Sequence, residues 1–167
     1  MEQMEMELEL EQDNDFQEKN WKAERVAWVI MTMIIIAALS GILGIGPLSK
    51  RTLGSAEEGF KVEFHSLLRY RKEVPMRITI KPNNYSTDYR IRINKTFLKG
   101  MTTEKIVPEP EITYIGKDDY IYSFKLEDAT AETTIAFYMK PETTGNKKLI
   151  IGEENGESKE MDIFIYP

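Results

Sequence analysis

The sequence predicts an all-β domain, an immunoglobulin-like β-sandwich of about seven or eight strands, preceded by one transmembrane α-helix. Three observations predict it. Beyond residue 60, short runs alternate apolar and polar residues with period two, the signature of half-buried strands. Clusters of Gly, Pro, Asn and Asp separate those runs, where the chain has to turn. Upstream, Val26 to Ser49 carries no charged residue, and about 20 apolar residues span a bilayer core of roughly 30 Å.

The strands follow in order. Val62 and Phe64 alternate with Lys61 and Glu63; Met76, Ile78 and Ile80 with Arg77, Thr79 and Lys81; Ile91 and Ile93 with Arg90 and Arg92. Tyr120, Tyr122 and Phe124 repeat the pattern, as do Ile135, Phe137 and Met139, then Leu149 to Ile151 and Met161 to Ile165. Pro82-Asn83-Asn84, Gly116 to Asp119 and Asn155-Gly156 are the clearest turns. Asn155-Gly156 predicts a type I′ hairpin, whose two central residues need positive φ. Phe97 to Met101 reads as a short helical turn linking two sheets. The absence of cysteine excludes disulfides, thiolate metal sites and a cysteine nucleophile, and with them an antibody-type Cys…Trp…Cys framework.

The expected organisation is an acidic tail at 1–25, a membrane helix at 26–48, a linker at 49–59 and the sandwich at 60–167. The tail carries nine acidic and three basic residues, the whole net charge of −6; the part after Ser49 is balanced. Met4 to Glu11 alternates Met or Leu with Glu, which reads as a solvated, disordered stretch or as a motif that adds a strand to a partner's sheet. An acidic chain with a neutral domain argues against nucleic acid as partner. The apolar run follows 25 mostly acidic residues, unlike a cleaved signal peptide with its short basic start. A retained anchor is therefore expected: a single-pass protein of the cell (inner) membrane, N-terminus cytoplasmic, sandwich extracytoplasmic. Flanking charge does not decide that orientation, because Lys19, Lys22 and Arg25 balance Lys50, Arg51 and Lys61; the tendency of long domains to translocate regardless of charge does. Ala37, Ser40, Gly41 and Gly44 share one helical face, a small-residue stripe on which membrane helices associate. The expected partner there is an integral membrane protein or a second copy.

Little chemistry is on offer. His65 is the only histidine, and His65 and Ser66 are neighbours on an expected strand, so they point to opposite faces. The acids Glu109, Glu111, Asp118, Asp119, Glu127, Asp128, Glu153 and Glu154 fall in expected loops without the spacing of a calcium site. No metal, cofactor or catalytic residue is expected. One asymmetry stands out. Lys61 to Lys105 holds 11 basic and four acidic residues, and Ile106 to Pro167 six basic and 13 acidic. Arg77 and Lys81 on one strand, and Arg90 and Arg92 on another, are candidates for contact with an anionic surface. Cross-strand ion pairing inside the sandwich is the competing reading.

Gly46-Pro47-Leu48-Ser49, Val62-Glu63-Phe64 and Leu67-Leu68-Arg69-Tyr70 resemble a set of uncharacterised bacterial single-span membrane proteins with a small C-terminal β-sandwich outside the cytoplasm. That set has Glu-Arg where this sequence has His65-Ser66. The resemblance implies the fold and layout above and no activity. It also suggests company with YetF-like integral membrane proteins. The expected function is a membrane-anchored accessory or interaction protein with a non-enzymatic binding module. The alternative is a direct binder of an envelope ligand, a lipid headgroup or glycan.

Overall fold

A computed structural model describes residues 14–39, 49–55, 57–81, 87–128 and 131–167. The chain divides into two compact units, Met1–Ser40 and Gly41–Pro167.

In the first unit, helix α1 runs Asn14–Leu39. Its first turns are held by local pairs: Glu18 to Lys22 at 2.8 Å, and the Arg25 guanidinium 3.5 Å from the Trp21 ring centre. This helix corrects the membrane assignment. Among the described residues no helix is long and apolar enough to cross a membrane. Lys22, Glu24 and Arg25 lie within α1, so its described residues are not one apolar run. The single-pass, inner-membrane localisation is withdrawn on that ground. Of the small-residue stripe, Ala37 lies on α1, while Ser40, Gly41 and Gly44 fall outside the described residues, as does Met4 to Glu11.

The second unit is an all-β sandwich of two sheets. Among the described residues it has eleven strands: β1 Lys50–Leu53, β2 Phe60–His65, β3 Leu67–Arg69, β4 Val74–Ile80, β5 Asp88–Asn94, β6 Met101–Val107, β7 Ile112–Ile115, β8 Asp119–Lys125, β9 Thr133–Pro141, β10 Gly145–Glu153 and β11 Ser158–Tyr166. A single turn of helix, α2 Lys95–Leu98, joins β5 to β6. Sheet A has the order β1-β2-β4-β9-β6, and sheet B the order β3-β11-β10-β5-β8-β7. Strands β2, β4, β9 and β11 bury alternate residues. Phe60, Val62 and Phe64 of β2, Met76, Ile78 and Ile80 of β4, Ile135, Phe137 and Met139 of β9, and Met161, Ile163 and Ile165 of β11 all meet in one core. Phe137 of sheet A lies edge-on to Tyr122 and Phe124 of sheet B, with ring centres 5.2 and 6.2 Å apart.

The strand count exceeds the expected seven or eight because short edge strands carry no readable period. β1 occupies residues of the expected linker and pairs with β2, Lys50 opposite His65 and Leu53 opposite Val62. Gly54 ends it at φ +75°, and a Cβ there would sit 2.2 Å from the Phe60 carbonyl oxygen. After β2 the chain bends at Ser66 and enters the other sheet as β3. The Ser66 N–H donates to the Ser49 carbonyl at 2.8 Å, and the Ser66 carbonyl accepts from Phe164 N–H at 2.8 Å. One continuous run thus joins the two layers along one side, the device by which strands make sandwich corners. β10 and β11 form the expected hairpin, but neither Asn155 nor Gly156 has positive φ. The link is a longer loop, with Gly156 N–H donating to Glu153 C=O at 3.3 Å. Phe97 and Leu98 of the expected helical turn are buried on α2. Pro82-Asn83-Asn84 lies outside the described residues.

Asn94 bridges β5 and β10 where their pairing stops. Its Nδ2 donates to Lys148 C=O at 3.0 Å and its Oδ1 accepts from Ile150 N–H at 2.9 Å, so a buried side-chain amide continues the ladder. Asn94→Ala leaves two backbone groups without partners and is expected to cost about 1–3 kcal/mol, read as a lower urea midpoint.

Candidate binding face

Directly paired antiparallel residues share a face of a sheet, so the register assigns the outer face of sheet A. Lys50 and His65 lie on it together, as do Lys61 and Thr79, Glu63 and Arg77, and Arg77 and Ala136. Further along, Lys105 pairs with Tyr138 and Thr102 with Lys140. Lys81 follows directly on β4 in the same phase and is exposed. The face therefore carries Lys50, Lys61, Arg77, Lys81, Lys105 and Lys140 against Glu63, Glu104 at the β6 bulge and, flanking β4 and β9 in the same phase, Glu73, Glu132 and Glu142. Thr79, Thr134 and Ala136 between them are short, which leaves the face flat.

Glu63 is the internal counter-ion. Its carboxylate lies 2.7 Å from both Lys50 and Lys61. Their ammonium groups hold its pKa down at about 2. Lys140 has weaker company, Glu104 at 3.7 Å and Glu142 at 3.9 Å. Arg77 and Lys105 form no ion pair among the described residues. The face thus carries a small excess of positive charge.

The four cations singled out in the sequence do not form one surface. Arg90 and Arg92 lie on β5, in sheet B, on the opposite side of the sandwich from Arg77 and Lys81. Both are engaged within the chain. Arg90 pairs with Glu154 at 2.9 Å, and Arg92 donates to Gly156 C=O at 3.0 Å and to Ser158 Oγ at 2.6 Å. Lys50, Lys105 and Lys140 were missed as face residues. Alternation held the signal for Lys105 and Lys140, but only pairing across β9 and β6 shows which face they share.

The His65 Nδ1 lies 2.9 Å from Ser49 Oγ, not beside Ser66. Ser49 is 1% exposed, so its hydroxyl is out of reach of a substrate, and the pair works as a corner tie. Burial, then the charges of Lys50 and Arg77, push the imidazole pKa down, which keeps it neutral. A histidine whose folded pKa is lowered adds stability above its unfolded pKa of about 6.5 and loses it as pH falls. We expect the melting temperature to drop as pH falls below about 6.5, and His65→Gln to flatten that slope. The loop acids are dispersed. Glu154 is paired with Arg90, Glu153 accepts from the Tyr89 hydroxyl, and Glu58 is paired with Lys159. Among the described residues no group of three His, Cys, Asp or Glu side chains could hold a metal ion.

Two concavities remain. A small one of about 220 Å³ is lined by Glu58, Phe60, Glu153, Glu157 and Lys159. A larger cleft of about 580 Å³ beside α2 is lined by Lys95, Thr96, Leu98, Lys99, Thr103, Tyr120 and Tyr122. Lys95 is spoken for, donating to the Gly116 and Lys117 carbonyls.

The fold is thus a two-sheet β-sandwich with one basic outer face. No family model matches the sequence, and no curated protein does. Among solved structures the sandwich is similar to cohesin domains. One is in the Coh-OlpA–Doc918 cohesin–dockerin complex of Clostridium thermocellum, at 10% identity and TM-score 0.40, over 60% of this chain and 93% of that one. Another is the seventh ScaB type I cohesin of Pseudobacteroides cellulosolvens, at 6% and 0.40, over 60% and 86%. A third is CaCohA2 of Clostridium acetobutylicum, at 12% and 0.38, over 64% and 88%. Likeness at this level carries no argument about what the chain binds.

Proposed function

We propose that the sandwich is a non-enzymatic protein-interaction module that docks an acidic surface of a partner protein on the outer face of sheet A. The observation that carries this reading is the set of cations on that face, of which Arg77, Lys81 and Lys105 form no ion pair among the described residues, on a flat array of paired strands. Adjacent strands lie about 4.8 Å apart, so these charges fall within a Debye length of about 8 Å of their neighbours and act jointly on a partner. Such a field speeds encounter and selects against basic partners. The test uses the full chain and poly-L-glutamate as probe. Binding that weakens steadily with added salt is expected. Absence of binding at low salt sinks the reading, and preference for anionic phospholipid vesicles over polyglutamate replaces the protein partner with a lipid surface.

The 580 Å³ cleft favours a second reading, capture of a small ligand such as a glycan. Two tyrosine rings and the hydroxyls of Thr96 and Thr103 are the groups a sugar would use. A ligand at 100 times its Kd would stabilise the fold by about 2.7 kcal/mol. A thermal-shift screen of oligosaccharides that leaves the melting temperature unchanged excludes it.

A further inference from the structure

The sandwich has four sheet edges, and one of them is unprotected. Exposed edges invite pairing, and proteins blunt them with charge, bulges or brevity. β1 carries Lys50 and Arg51, β6 carries Glu104, Lys105 and a bulge, and β3 is three residues ending in Arg69. β7, Ile-Thr-Tyr-Ile, has no charge, no proline and no bulge, and all four residues are exposed. Ile112 is 49%, Tyr114 42% and Ile115 71% accessible.

The register says which groups the edge offers. Gly116 N–H donates to Asp119 C=O at 2.9 Å, and Ile115 opposes Tyr120, Tyr114 opposes Ile121 and Thr113 opposes Tyr122. Hydrogen-bonded and non-bonded pairs alternate along an antiparallel ladder, so Ile112, Tyr114 and Gly116 bond to β8. Thr113 and Ile115 therefore turn their N–H and C=O groups outward.

We infer that this edge pairs with β7 of a second copy, antiparallel and centred on Tyr114, to form a two-fold dimer. The segment is complementary to itself in that register. Thr113 meets Ile115 of the other copy, so the outward backbone groups satisfy one another. Ile112 meets Gly116, whose missing side chain leaves room for it. The ladder ends there: Lys117 lies in the turn between β7 and β8, and Glu111 N–H donates back to Ser123 C=O of β8 at 2.9 Å. Tyr114 meets Tyr114 across the axis. An axis perpendicular to sheet B turns both basic sheet A faces the same way, but the dimer stands whether or not those faces bind acidic partners.

The register makes the test specific. The chain has no cysteine, so single cysteines can be placed in the full-length protein. In a non-hydrogen-bonded pair the Cα atoms are about 4.5 Å apart, inside the disulfide range of about 4.4–6.8 Å. Tyr114→Cys is expected to crosslink under mild oxidation. Ile112→Cys, about 13 Å from its own symmetry mate at 3.4 Å per residue, is expected not to. A charge placed on the edge supplies the second arm, because charged edge strands resist pairing. Thr113→Lys, which puts like charges next to the axis on both copies, should lower the dimer fraction in sedimentation velocity. Crosslinking at Tyr114→Cys no greater than at Ile112→Cys, or a dimer fraction unchanged by Thr113→Lys, overturns the proposal. A chain that sediments as a monomer up to high concentration overturns it as well.

Discussion

Phe137→Ala is expected to destabilise the sandwich by roughly 3–5 kcal/mol, a large share of the 5–15 kcal/mol that holds a typical domain folded. Phe137 is fully buried on β9, and its ring reaches across the core to Tyr122 and Phe124 on β8. The substitution removes the apolar burial and two edge-on ring contacts that tie sheet A to sheet B. Each such contact is worth about 0.5–1.5 kcal/mol beyond burial. The cavity would open at the middle of the core, where backbone on both sides is locked in ladders and cannot collapse to fill it. Phe137→Leu keeps most of the volume and should lose less. Urea unfolding followed by far-UV circular dichroism measures both. Tryptophan fluorescence is unsuitable, because Trp21 and Trp28 lie on α1 and not in the sandwich.

The largest functional effect is expected from reversing charge on sheet A. Arg77→Glu combined with Lys105→Glu converts two of the face's cations that form no ion pair among the described residues into acids, and should weaken polyglutamate binding by about tenfold or more, which is about 1.4 kcal/mol per decade. Both side chains face outward on paired strands, so the fold should survive. Glu63→Gln acts in the opposite direction. It frees Lys50 and Lys61 from their shared counter-ion and should tighten binding, while lowering stability by about 1 kcal/mol or less, the usual scale of exposed ion pairs. Its carboxylate pKa is depressed to about 2, so the pairing contributes above the unfolded glutamate value, about 4.3, and is lost as pH falls toward 2. A variant that gains affinity while losing stability separates a charge effect on docking from damage to the fold. Arg90→Glu and Arg92→Glu, on the other sheet, should leave binding unchanged.

The long strands were legible because their inward residues are large and apolar and their outward ones charged: Met76-Arg77-Ile78-Thr79-Ile80 can be read in one way only. The short strands were not. β1, Lys-Arg-Thr-Leu, looks like polar linker until its pairing with β2 is known, and β7 has no polar face to alternate with. Which layer a strand joins is a long-range property. Arg77 and Arg90 look alike in sequence, and only the pairing of β4 with β9 and of β5 with β8 sets them on opposite sides. The His65 contact with Ser49 was hidden by a separation of 16 residues and by the strand-to-strand bend at Ser66. The membrane reading is overturned because, among the described residues, no helix is long and apolar enough to cross a membrane.

The basic face is tested most directly by following backbone amide shifts of the full chain as polyglutamate is added. Perturbations confined to β1, β2, β4, β9 and β6 are predicted, strongest around Arg77 and Lys105. Shifts confined to sheet B, or none at low salt, would contradict the account.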